Sequence, residues 1–411
     1  MRVTSHPPQS SPHSAPQDPW ASAGSPAFPG VPGVPGVPGS APFGSPPGRR
    51  HRSGSTAVTL ALLACTVVLL GVGFFLAGVF GSGTVLWLGA LAMVPLALCL
   101  LGLRWVDRWD PEPRALLALG LFWGAGASVA GSLLVGDVFM ELFFDPAGRL
   151  DLDLFGAVVQ APIVEELAKG AGVLLIFWIN RSHFDGPIDG IVYGGIVGAG
   201  FAFTENILYF ASSYVDPAAP GELVSVFVLR GLFSPFAHVM FTAWTGFALG
   251  LCAARGKRGR WPLYLVLGLL PAMVGHFLWN GGVGIFFDNF LSFYFVLQVP
   301  LFVASIVAVV LLQRGERKLT EQRLDEYRAS GWFTAAEVAM FATRAGRRDA
   351  RRWAAGIGRR RQMKEFTATA MNLAAVRQRI VAGHPTGTDF ARELALLHKS
   401  HLQRAQLLNV A

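Results

Sequence analysis

Charge is what this sequence has least of. Only 15% of its 411 residues are Asp, Glu, Lys or Arg, against roughly 25% in an average soluble domain. Hydrophobic residues make up 52%, and the mean hydropathy is +0.46. Cysteine is also scarce. Cys65, Cys99 and Cys252 lie in or at the ends of apolar stretches, with neither metal-ligand spacing nor a disulfide framework. That excludes a disulfide-stapled secreted scaffold and leaves packing as their role. No apolar stretch opens the chain, so no secretory signal peptide is expected. The remaining class is an all-α, polytopic transmembrane helix bundle.

Three regions follow from composition. Residues 1–54 contain FPGVPGVPGVPG and little else that is apolar. Proline and glycine at that density bury no core, so a disordered tail is expected. Residues 55–313 parse into about eight spans: 57–80, 83–103, 115–137, 154–180, 188–212, 223–254, 262–284 and 289–313. Each is long enough to cross ~30 Å of hydrocarbon. The sixth is overlong and suggests an interfacial turn at its start. Loops 104–114, 181–189 and 255–261 carry Arg and Lys, whereas loops 136–153, 212–222 and 281–288 are acidic or neutral with one arginine among them. The positive-inside rule then predicts a multi-pass protein of the bacterial cell membrane with both termini cytoplasmic.

Residues 314–411 hold 19 Lys/Arg against 9 Asp/Glu and read as helices with short breaks. A basic helical tail beside a bilayer is expected to follow anionic headgroups. It contains no nucleic-acid reader motif, so no nucleic acid is expected as a partner.

Against this apolar background the ionisable residues inside the spans stand out. Span four carries Glu165, Glu166 and Lys169; span five carries Glu205; span six carries Arg230 and His238; span seven carries His276. Each charge costs roughly 2.5–3.5 kcal/mol at the bilayer centre, so something must offset it. Glu165 and Lys169, Phe201 and Glu205, His238 and Thr242, and His276 and Asn280 are each four residues apart, which puts each pair on one helix face. Counting ~1.5 Å per residue brings the Glu and His positions to similar depths. Pro162, Pro235 and Pro271 sit just upstream, and intramembrane kinks free carbonyls that suit a water-containing cavity. The blander readings are a structural Glu165–Lys169 ion pair, an Arg230 that snorkels to the interface, and histidines that only bridge helices.

The ordered set EELAK (165–169), FAFTEN (201–206), the histidine of RGLFSPFAHVMFTAWTG and HFLWN (276–280) resembles the PrsW family of bacterial intramembrane proteases. That family is related to the CAAX-type and bacteriocin-processing membrane proteases. The resemblance covers about residues 55–313. Glu205 stands where CAAX-type relatives carry His, so a prenylated substrate is not implied. What the resemblance implies is hydrolysis of a peptide bond in a membrane-anchored protein substrate, of the class of anti-sigma factors in stress signalling. The candidate catalytic residues are Glu165, Glu166, Glu205, His238, His276 and Asn280. One of Glu165 and Glu166 would be the general base, and Asn280 with a histidine would donate to the oxyanion. Two chemistries stay open. Glu205, His238 and His276 are ligand types that Zn2+ accepts in an open catalytic site; without metal, the same groups could activate water directly. The competing classes are a proton-coupled transporter, against which no internal repeat of the motifs is found, and a non-enzymatic membrane protein.

Overall fold

The structure is a computed structural model that describes residues 52–109, 111–144, 151–180, 184–218, 221–383, 385 and 387–408. The tail expected over 1–54 lies outside the described residues apart from its last three, which open the first helix. The described chain is helical throughout, with no β-strand among the described residues; a single β-bridge joins Val283 and Phe287.

Eight helices form the bundle. They are α1 (Arg52–Phe80), α2 (Ser82–Asp107), α3 (Arg114–Phe143), α4 (152–179), α5 (Pro187–Val215), α6 (Glu222–Ala254), α7 (Arg258–Phe286) and α8 (Phe290–Ala329). Seven of them are long and apolar enough to cross a membrane. The exception is α4, for a physical reason: it carries Glu165, Glu166 and Lys169 within 19 residues. The eight-span parse therefore keeps its count only if the charged helix is included.

Boundaries depart from the parse where local chemistry overrides hydropathy. Asp151 caps α4 by accepting from the Leu154 amide at 2.7 Å, and Asn289 caps α8 through the Ser292 amide at 2.9 Å. The overlong sixth span is broken not at its start but at 234–236, beside Pro235. Its first half ends as a π-helix over Phe227–Phe233 and its second runs Ala237–Ala254. A further π-helical segment, Gly156–Gln160, precedes Pro162 in α4. Helix α8 does not stop at 313 with the apolar run but continues to Ala329.

Helix α5 is the axle of the bundle, with most of its residues buried. It packs antiparallel against α6 along a seam of small residues. A Cβ at Gly190, Gly194 or Gly198 would strike the backbone carbonyl of Gly246, Thr242 or His238, and one at Gly250 would strike that of Gly186. The contacts step by four residues on both helices, so backbone meets backbone over about three turns. This close approach sets the register of His238 against α5.

Beyond the bundle, α8 is followed by α9 (Ala335–Ala342), α10 (Arg344–Gly356), α11 (Arg360–Val381) and α12 (Asp389–Leu408). These helices pack with the end of α8 around Leu324, Phe333, Phe341, Phe366, Leu373 and Leu397. Buried or half-buried ion pairs brace them, including Arg404–Glu337 at 2.6 Å and Arg379–Asp389 at 3.1 Å. Thr334 and Glu337 close a reciprocal cap at the start of α9. The basic segment thus has a core of its own and does not lie as a row of separate helices.

The seam predicts an asymmetry between glycines. Gly194→Leu should destabilise the purified protein by at least about 1–3 kcal/mol, the usual cost of overpacking. Gly71→Leu, in α1 with no atom within 4 Å of its Cβ position, should leave the melting temperature unchanged. Equal melting temperatures for the two variants would contradict the seam.

Candidate functional site

Four helices supply the site, and each places its polar residue by a nameable local cause. On α4, Glu165, Glu166 and Lys169 fall within the first three turns after the π-segment. On α5, Phe201 and Glu205 share the face that continues the glycine seam from Gly198. On α6, His238 is the second residue after the break at Pro235. On α7, His276 sits one turn beyond Pro271, inside the helix.

Their side chains meet. Lys169 Nζ lies 2.7 Å from Glu166 Oε1, 3.4 Å from Glu165 Oε2 and 3.1 Å from His238 Nδ1. Its ammonium also sits 4.1 Å from the centre of the Phe201 ring, a favourable cation–π position. Glu166 is wholly enclosed: Oε1 faces Lys169 and His276 Nδ1 at 3.1 Å, and Oε2 accepts from the Thr242 hydroxyl at 3.2 Å. His276 Nε2 is left facing Glu165 Oε2 at 3.8 Å. His238 Nε2 lies 2.7 Å from Glu205 Oε2. The two imidazoles stand perpendicular with centroids 5.1 Å apart, and Phe241 stacks on His276.

The two glutamates of α4 occupy different environments. Adjacent residues on a helix point about 100° apart. Glu166 has a side-chain exposure of 0%, whereas Glu165 retains 12% and Glu205 13%. Glu165 and Glu205 help line a cavity of about 250 Å³ together with Val129, Ser132, Phe201 and Tyr209.

Arg230 does not snorkel away. Its guanidinium pairs with Glu205, donates to Asn206 Oδ1 at 3.2 Å and lies 3.8 Å from the Tyr209 ring centre. An arginine in an apolar run a few residues before a proline break was the available signal, but its partner lies 25 positions away in sequence. Ser132 and Tyr209, also on the cavity wall, gave no sequence signal. Asn280 stands apart from the charged cluster: its amide donates to the Ala157 carbonyl at 2.7 Å, tying α7 to the π-segment of α4.

The donor set suits a divalent metal ion. Glu165, His238 and His276 each offer one ligand atom, and the three atoms lie within 4.8 Å of one another. Two imidazoles and a carboxylate are ligands of an open catalytic zinc site. The other nitrogen of His276 is held by Glu166, the outer-sphere carboxylate such ligands commonly have. Glu205 lies outside that trio and faces His238 Nε2. Formal charge also favours a cation: three carboxylates face Lys169 and Arg230, a net of −1 with neutral imidazoles.

A family profile described as "PrsW family intramembrane metalloprotease" matches residues 112–305. The chain is 29% identical over 186 residues to a Protease PrsW of Clostridioides difficile, covering 45% of this chain and 74% of that protein. It is 30% identical over 167 residues to one of Geobacillus kaustophilus (40% and 66%) and 27% identical over 188 residues to one of Oceanobacillus iheyensis (46% and 80%). No solved structure matches. The matched segment runs from just before α3 into α8 and contains all four helices that meet at the buried charges. This chain belongs to the PrsW family and is a membrane-embedded protease.

Proposed function

We propose that the chain hydrolyses a peptide bond of a membrane-anchored protein at the cluster formed by Glu165, His238 and His276. The observation that carries this reading is that these three side chains converge within 4.8 Å, while Glu165 alone of the three opens onto the cavity. Glu165 is the carboxylate that meets water and substrate. One of its oxygens takes the proton of the attacking water and returns it to the leaving amine. Glu166 and Lys169 are positioning residues: Glu166 accepts from His276 Nδ1–H, which turns the Nε2 lone pair toward Glu165. Glu205, held by Arg230, faces His238 Nε2 from the other side, and Lys169 donates to its Nδ1. Asn280 has a second amide proton for the oxyanion beyond the one given to Ala157.

Glu165, His238 and His276, rather than Glu205 with the two histidines, are also the residues that would hold a divalent ion such as Zn2+. Such an ion, when bound, acidifies a coordinated water and polarises the scissile carbonyl. For the substrate we propose regulatory membrane-anchored proteins of the anti-sigma-factor class, a reading supported by family resemblance. The arginines Arg348, Arg351 and Arg352 on the outside of α10 support contact of the basic segment with anionic headgroups.

Cleavage of a single-pass reporter by the purified protein tests the site. Glu165→Gln should lower the rate by about 10²–10⁴-fold, the contribution of a positioned proton acceptor. His238→Ala and His276→Ala should lose both cleavage and bound metal, and a chelator should reproduce their loss of activity. Unimpaired cleavage by Glu165→Gln would overturn the assignment. Full activity in protein stripped of metal would remove the ion and leave Glu165 as the water-activating group.

We also propose that both termini are cytoplasmic, supported by the alternation of Arg and Lys between loops. In intact cells, Pro217→Cys and Ile285→Cys should react with an impermeant thiol reagent, and Arg108→Cys and Lys257→Cys should react only after lysis. The reverse pattern would invert the orientation.

A further inference from the structure

A second charged cluster lies well away from the protease site, where the apolar parts of α2 and α8 end. Trp109, just past α2, is only 4% exposed. Its ring is flanked by two guanidiniums: the Arg347 Cζ is 3.6 Å from its centre and the Arg317 Cζ 4.9 Å. Arg347 also donates to the Trp109 carbonyl at 2.6 Å. Gln313, at the end of the apolar run of α8, donates to the Val106 carbonyl at 3.0 Å and accepts from Arg344 Nη2 at 3.0 Å. These bonds lock α8 and α10 onto the end of α2.

The lock is over-supplied with positive charge. Arg108, Arg314, Arg317 and Arg344 come together here, and none of the four has an acidic partner among the described residues. The nearby Asp107 accepts from the Glu112 amide through Oδ1 at 3.0 Å, and Asp110 lies outside the described residues. Three N–H donors are buried with no acceptor: Arg317 Nε, Arg344 Nε and Trp109 Nε1. A buried donor left unmade is costly, and more so on a charged group. Burial, with Arg108 and Arg314 as neighbours, lowers the pKa of Arg317; burial, with Arg317 and Arg108, lowers that of Arg344. Both remain charged.

We infer that this cluster is a binding site for a phosphate oxyanion, supplied by the headgroup of an anionic phospholipid. A phosphate diester presents several acceptor oxygens to donors that lack them, and guanidinium is the side chain best matched to it. Position decides the source. Arg314 directly follows Gln313 at the end of the apolar stretch of α8, and Arg108 directly follows α2. The phosphate of a lipid lies at that level, with its acyl chains along the bundle. The exposed arginines, Arg108 and Arg314, admit the headgroup; the half-buried Arg317 and Arg344 grip it.

The test counts bound lipid by native mass spectrometry on the full-length protein in neutral detergent. The probes are short-chain phosphatidylglycerol, the matching diacylglycerol as a phosphate-free control, and inorganic phosphate as competitor. Phosphatidylglycerol should bind and diacylglycerol should not. Arg317→Gln with Arg344→Gln should weaken binding about tenfold or more, the equivalent of one lost charge-assisted hydrogen bond. Because that pair of changes also touches the Trp109 lock, Arg314→Gln is the second variant; it should weaken binding without lowering the melting temperature. Arg360→Gln with Arg361→Gln removes the same charge from the exposed start of α11 and should change nothing. Equal binding by the wild type and by Arg317→Gln with Arg344→Gln would overturn the site. Displacement of the lipid by equimolar inorganic phosphate would overturn the lipid as its source.

Discussion

The pairing of Lys169 with Glu166, at 2.7 Å and with neither side chain exposed, is the contact on which the rest of the bundle depends. Two charges on one intramembrane helix would each be costly alone. Together, at i,i+3, they neutralise each other, and each then needs its remaining hydrogen bonds satisfied. That need recruits the neighbouring helices. Glu166 takes Thr242 from α6 and His276 from α7; Lys169 takes His238 from α6 and the face of Phe201 from α5. The ion pair thus organises the site without being the part of it that meets substrate.

The glycine seam makes those reaches possible. Only with the α5 and α6 backbones in contact does His238 lie between Lys169 on one side and Glu205 on the other. Burying His276 under Phe241 and Glu166 under Thr242 leaves Glu165 as the one α4 carboxylate open to the cavity. A protease inside a membrane must keep water beside its reacting carboxylate and lipid away from it. A buried polar cluster beside a cavity lined by Ser132, Glu165, Glu205 and Tyr209 meets both demands.

Much of this could be read from the sequence because ionisable residues in apolar runs are rare and costly. Glu165, Glu166, Glu205, His238 and His276 were visible for that reason, and so was the all-helical, multi-pass architecture. What lay beyond reach depended on register between distant segments. The spacing of Gly186, Gly190, Gly194 and Gly198 is in the sequence, but its partner face on α6 is not. The sequence likewise cannot say which of two adjacent glutamates, about 100° apart, faces the cavity. Arg230 looked interfacial because its counter-charge belongs to another helix. The basic C-terminal segment read as a surface-following tail because charge dominates its composition; its core residues, such as Phe341, Phe366 and Leu397, are sparse and spread over four helices.

The dependence on the Lys169–Glu166 pair is open to a direct thermodynamic measurement. Removing one partner of a buried pair costs about 3–5 kcal/mol because the other charge is left without compensation. Lys169→Met should therefore lower the melting temperature of the purified protein sharply. Adding Glu166→Gln to it should restore most of the stability while cleavage stays lost, because His276 no longer has a carboxylate to orient it. If Lys169→Met alone keeps both the wild-type melting temperature and the wild-type cleavage rate, the bundle is not built around this pair and the account fails.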